Sequence, residues 1–173
     1  MNRKWLLTTF ALALVALLAG LAPSETAAAG KGEAKFKAVA VKHFTLAEGV
    51  ELSPEFPDFL YAELKDELKK SGLYEEITSE DEVVEPGDAP KSLAVDGRLL
   101  EYKKGSVVKE SLIGFGAGMR SLRAQITVRR RSDNEAVLDK ELKVRASSKW
   151  NEKVLAKFLA KKISGELKNG LAH

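Results

Sequence analysis

Two stretches in the C-terminal half alternate apolar and polar residues with a period of two, the signature of a half-buried β-strand. In the first, Leu122, Ala124, Ile126 and Val128 share one face, and Arg123, Gln125, Thr127 and Arg129 the other. The second offers Leu138, Leu142, Val144 and Ala146. Ser132-Asp133-Asn134 forms a turn between them, with Asn134 able to take a positive φ. This turn predicts an antiparallel hairpin in which Val128 faces Leu138 and Ala124 faces Leu142. A slip of one residue would turn every apolar side chain into water, so the register is strongly specified. On the polar face, Arg129 falls diagonal to Asp139 and Arg123 diagonal to Glu141. Exposed pairs of this kind contribute about 0.2–1 kcal/mol each.

The remaining elements follow from the same periodicities. Phe36 to Val41 alternates and predicts a first strand. Glu48 to Pro57 is a loop, and Pro57 suits the first turn of a helix, where its missing N–H is not needed. Phe59, Leu60, Leu64 and Leu68 recur at helical spacing, with Asp66 and Lys70 as an i,i+4 pair on the wet side. Ser71-Gly72 ends that helix. Leu73 to Thr78 reads as a second strand, so strand, helix and strand make a parallel βαβ unit. Leu93, Val95, Gly97 and Leu99 share the face of another strand. Leu100 and Tyr102 fall in the other register, so a bulge is expected near Leu99. Gly105 to Met119 reads as a glycine-bearing loop. Ser148 is the expected N-cap of the last helix, whose stripe is Trp150, Val154, Leu155, Phe158, Leu159, Ile163 and Leu167, ended by Asn169-Gly170. The order β-α-β-β-β-β-α, with a hairpin that forbids an all-parallel sheet, predicts an α+β two-layer sandwich: a mixed β-sheet with two helices on one face.

The N-terminus carries a different signal. Met1-Asn-Arg-Lys is basic, Trp5 to Pro23 is uncharged and largely apolar, and Thr26-Ala27-Ala28-Ala29 is small. That order predicts a signal peptide over 1–29, cut between Ala29 and Gly30, leaving 30–173 as one domain in the periplasm or outside the cell. An uncleaved membrane anchor is the alternative, since a spanning helix needs roughly 20 apolar residues; Gly20 and Pro23 argue against it. The chain has no cysteine. It therefore has no lipid-accepting thiol at the cleavage point, no disulfide, no thiolate metal site and no cysteine nucleophile.

The net charge of +3 hides a segregation. Leu73 to Pro90 holds Glu75, Glu76, Glu80, Asp81, Glu82, Glu85 and Asp88 with no cation, and the overlapping stretch 79–91, which ends in Lys91, reads as a solvated linker without the spacing of a calcium loop. Lys149, Lys153, Lys157 and Lys161 recur every four residues as a basic column, either a wet helix face or a contact for an anionic surface. Arg129-Arg130-Arg131 is too short for a nucleic-acid patch, and export argues against that partner. His43 and His173 are the two histidines. A nucleophile–base site would have to use His43, and no G-x-S-x-G elbow accompanies it; a zinc site would need more nitrogen ligands. No cofactor or metal is expected. Gly114-Phe115-Gly116-Ala117-Gly118 precedes a strand rather than a helix, which excludes a dinucleotide-binding turn. With Leu112 and Ile113 it forms an apolar glycine loop suited to docking a partner or a membrane surface.

From Leu112 through Gly114-Phe115-Gly116-Ala117-Gly118 to Leu122, then Gln125–Val128 and the Val137-Leu138 return, the chain resembles an uncharacterised bacterial family catalogued as domain of unknown function 4410. His43-Phe44, Leu60/Leu64/Leu68 and the Gly97 strand support the resemblance. It implies an exported envelope protein; many members are lipid-anchored, and this chain lacks the cysteine for that. It also has Asn134-Glu135 where a turn glycine is expected. The element order is similar to small domains of envelope-assembly lipoproteins, an analogy of fold that transfers no function. The expectation is a non-enzymatic envelope accessory protein, binding another envelope protein or a second copy of itself through Ile113, Gly114, Phe115, Gly116 and Gly118. The alternatives are an envelope hydrolase built on His43, and a peripheral binder of anionic lipid through Lys149, Lys153, Lys157 and Lys161.

Overall fold

The computed structural model describes residues 36–79, 91–113 and 118–171. The expected leader at 1–29, residues 80–90 of the expected linker, Gly114, Phe115, Gly116 and His173 lie outside them. The elements are β1 (Ala38–Val41), β2 (Thr45–Leu46), α1 (Phe56–Ser71), β3 (Glu76–Ser79), β4 (Ser92–Lys103), α2 (Val107–Ile113), β5 (Arg120–Arg130), β6 (Ala136–Ala146) and α3 (Glu152–Leu171). The sheet runs β3-β1-β4-β5-β6, with the short β2 also pairing β4. β1 is parallel to β3 and to β4, and β5 is antiparallel to β4 and to β6. This is the expected mixed α+β sheet, with β2 and α2 added to the predicted order.

One face of the sheet carries the core. Val39 and Val41, Leu93, Val95 and Leu99, the row Leu122 to Val128, and Leu142 and Val144 join Leu60, Leu64 and Leu68 of α1 and Leu155, Leu159, Ile163 and Leu167 of α3 in one apolar cluster. Both helices therefore lie on the same face. α1 begins with proline in its first turn and ends at Gly72 in the left-handed conformation, φ 62°. The Asp66–Lys70 pair closes at 2.6 Å.

The hairpin keeps the predicted register: Val128 lies opposite Leu138 and Ala124 opposite Leu142, with Asn134 at φ 60°. The bulge falls where the pattern placed it, between Leu99 and Glu101. Arg123 meets Glu141 at 3.1 Å and Glu101 at 2.8 Å. The pairing of Arg129 with Asp139 does not form. A register shift after Val128 sets Arg129 opposite Ala136, and Gln125 donates to Asp139 instead.

The start of the last helix also differs from expectation. α3 begins at Glu152, and Asn151 Oδ1 accepts the Val154 N–H at 3.2 Å, so Asn151 takes the capping role expected of Ser148. Trp150 lies before the helix, half exposed, with its ring edge-on to Phe158 at 5.6 Å. Asn169-Gly170 does not stop α3, which runs on to Leu171.

Candidate interaction surface

The glycine-bearing segment is not a simple loop. Between β4 and β5 the chain leaves the sheet, forms α2, and returns through Gly118. The neck of this excursion closes where the Ser106 N–H donates to Gly118 O at 2.6 Å. Gly105 and Gly118 have φ of 76° and 82°, in the left-handed region that disfavours side chains. A Cβ on Gly118 would run into Ser106 O and lie 2.8 Å from Glu110 N; one on Gly105 would lie 2.8 Å from Arg120 N. Two glycines thus let two backbones touch, and the excursion is held at its base.

α2 buries none of its residues. Val107 is 47%, Val108 65%, Leu112 80% and Ile113 71% exposed. It is held by polar contacts. Ser106 O accepts the Glu110 N–H at 3.0 Å, opening the first turn. The Glu110 carboxylate reaches the β6–α3 connector, where Oε2 accepts the Ser148 N–H at 2.8 Å and the Ser148 hydroxyl. These hydrogen bonds, the Ser148 hydroxyl first, hold the Glu110 carboxyl below its ordinary 4.5. Ser148 is thus an anchor for α2, on the connector that also carries exposed Trp150. Fully burying a Val, Leu or Ile side chain is favourable by about 1.5–3 kcal/mol. This short helix turns four such side chains outward while its carboxylate holds it to the connector.

Of the contact residues expected from sequence, Ile113 is exposed at the C-terminal end of α2, Gly118 is the neck, and Gly114, Phe115 and Gly116 lie outside the described residues. Val107, Val108 and Glu110 were not singled out by the sequence, which placed Gly105 only at the start of the loop and gave Ser148 the role of a helix cap rather than of an anchor for α2. The i,i+4 spacing of Val108 and Leu112 was the available signal, and in seven residues it is too brief to establish a period.

The basic column is shorter than its spacing suggested. Lys153, Lys157 and Lys161 are exposed on α3, while Lys149 precedes the helix. Lys153 places its ammonium over the Phe59 ring of α1 at 4.4 Å. Lys157 adds to the field that lowers the Asp66 carboxyl, which is due first to its hydrogen bond from Lys70. The column is thus partly engaged with α1. His43 is exposed, stacked on Tyr61 with ring centroids 4.2 Å apart, and its Nε2 lies 3.4 Å from the exposed Asp58 carboxylate. Tyr61 OH and Ser79 Oγ hydrogen-bond at 2.8 Å, with the Lys65 ammonium 3.3 Å from each. Among the described residues no group of three or more His, Asp or Glu side chains is placed to hold a metal ion, and no helix is long and apolar enough to cross a membrane.

A mixed sheet backed by two helices on one face, with a glycine-necked helical excursion between its central strands, defines an α+β two-layer protein. Within that class the chain belongs to the family described as Domain of unknown function (DUF4410), whose model matches residues 45–167. Its fold is similar to that of the PelC dodecamer from Paraburkholderia phytofirmans, with a TM-score of 0.57 at 14% identity over 82% of this chain and 92% of that one. It is also similar to the hypothetical protein CT253 from Chlamydia trachomatis, with a TM-score of 0.55 at 14% identity over 79% and 98% of the two chains. Protein XCC0632 from Xanthomonas campestris matches with a TM-score of 0.51 at 9% identity over 76% and 83%. At these identities the likeness is one of fold. No curated protein matches the chain in sequence.

Proposed function

We propose that the protein is an exported, non-enzymatic accessory module of the bacterial envelope, released by cleavage between Ala29 and Gly30, and that α2 with the Gly118 neck is its docking surface. The observation that carries this reading is the anchored helix: four apolar side chains face solvent on α2, which is tied down by Glu110 and Ser148. A pinned apolar surface is already ordered, so little conformational entropy is lost when a partner covers it. The partner is a second copy of this chain. The similarity in fold to PelC, whose structure is a dodecamer, supports self-association.

Light scattering on the mature chain tests this. The wild type is expected to run as an oligomer and Leu112→Asp as a monomer with an unchanged far-UV circular dichroism spectrum, because Leu112 is exposed and makes no core contact to lose. A wild type that remains monomeric at high micromolar concentration overturns self-association, and a Leu112→Asp oligomer overturns α2 as the surface that mediates it. The wider docking reading then rests on whether a purified envelope partner protects α2 amides from exchange.

A further inference from the structure

The face of the sheet away from the helices holds a separate feature. Side chains alternate across a sheet, so Ala40 of β1, Ala94 of β4 and Arg129 of β5 point away from the core, and Lys42 follows directly after β1. The register lines Thr78, Ala40, Ala94 and Arg129 up in one row across four strands. Two alanines in the middle of the row leave a depression. Lys42, Arg129, Arg130, Arg131 and Asn134 line it with the two alanines, leaving an open pocket of about 190 Å³ with no acidic side chain in its lining. Asp133 and Glu135 are close by but are drawn to Arg130, at 2.7 and 3.1 Å. Arg129 Nη1 donates to Asn134 O at 3.4 Å, which holds its guanidinium towards the hairpin turn. At the β3 end of the row, the Thr78 hydroxyl is buried without a hydrogen-bond partner.

The arginine triplet is too short for a nucleic-acid surface, but here it is concentrated around a concavity with an apolar floor. Cations gathered at a low-dielectric concave wall focus positive potential. Guanidinium groups match tetrahedral oxyanions with paired N–H donors, and their charge outlasts any physiological pH. The cavity is smaller than the roughly 300–1,000 Å³ of sites that enclose a drug-sized ligand. We propose that this pocket binds a multivalent oxyanion of the phosphate class, either free or carried on a lipid headgroup. The site is independent of the docking surface: most of β4 separates Ala94 from the neck of the α2 excursion, a distance of about 30 Å along an extended strand.

Titration calorimetry of the mature chain with inorganic pyrophosphate, and sedimentation with phosphatidylglycerol against phosphatidylcholine vesicles, distinguish the two sources. The expected result is binding in one arm that Arg129→Gln weakens at least about tenfold, with thermal melts confirming an unchanged fold. Leu112→Asp is expected to leave it intact, which separates failure of this site from failure of the docking surface. Pyrophosphate binding identifies a free ligand; Arg129-dependent sedimentation with phosphatidylglycerol alone identifies a headgroup. Binding in neither arm, or binding that Lys157→Gln on α3 weakens as much as Arg129→Gln does, overturns the proposal.

Discussion

Gly97 is where a single residue bears most directly on the core. It stands on the core-facing row of β4 with Leu93, Val95 and Leu99, and the Phe44 ring takes the space a side chain would fill. An added Cβ would collide with that ring and approach Gln125 O to 2.5 Å. Because Phe44 is itself buried, it has no solvent to retreat into. Gly97→Ala is expected to destabilise the fold by about 1–3 kcal/mol, read as a lowered urea midpoint. Tyr74 gives a second test. Burial pushes its phenol from the usual 10.0 up to about 12. A group whose folded pKa is raised contributes stability that is present below its unfolded value and is lost as pH rises through the folded one. Stability is therefore expected to fall between pH 10 and pH 12, and Tyr74→Phe, which keeps the ring and removes the proton, to flatten that part of the curve in urea melts.

Among the elements, α2 is the one that secondary-structure logic explains least and tertiary contact explains best. Helices this short are unstable alone, because nucleation costs more than one turn of hydrogen bonds returns. α2 persists because the glycine neck fixes where it starts and Glu110 fixes where it lies. The Glu110 carboxyl has a lowered folded pKa, so its anchor contributes above the ordinary value of 4.5 and is lost as pH falls through the folded value. Amide exchange along Val107–Ile113 is expected to speed up as pH is lowered through that range, after correction for intrinsic rates, with α1 unaffected. Glu110→Gln is expected to show the faster exchange already at pH 7. The long elements were legible for the opposite reason. β5, β6, α1 and α3 each repeat a period over many residues, so each register error would expose several apolar side chains at once. Ser148 as the cap of α3 was a local inference overturned at a distance: Glu110 claims its hydroxyl and N–H, and Asn151 caps the helix instead.

At the scale of the whole molecule, β4 and β5 connect two surfaces with different chemistry, an apolar helix at one end and a cationic pocket at the other. The proposed leader belongs to this scale too. Protein recovered from the periplasm is expected to have the intact mass of a chain beginning at Gly30; protein found inside the cell with Met1 in place would overturn the proposed export. What the sequence by itself determined was the sheet-and-helix architecture, the hairpin register, the bulge near Leu99 and the faces that meet in the core. These follow from periodic burial, which is written in the order of residues. What only the tertiary structure decided was which residues meet across long separations: Glu110 with Ser148, Gly105 with Gly118, and Arg129 with Ala94 and Ala40 in one row. Such contacts have no period. They arise where the path of the backbone brings distant residues together, and both proposed sites are built from them.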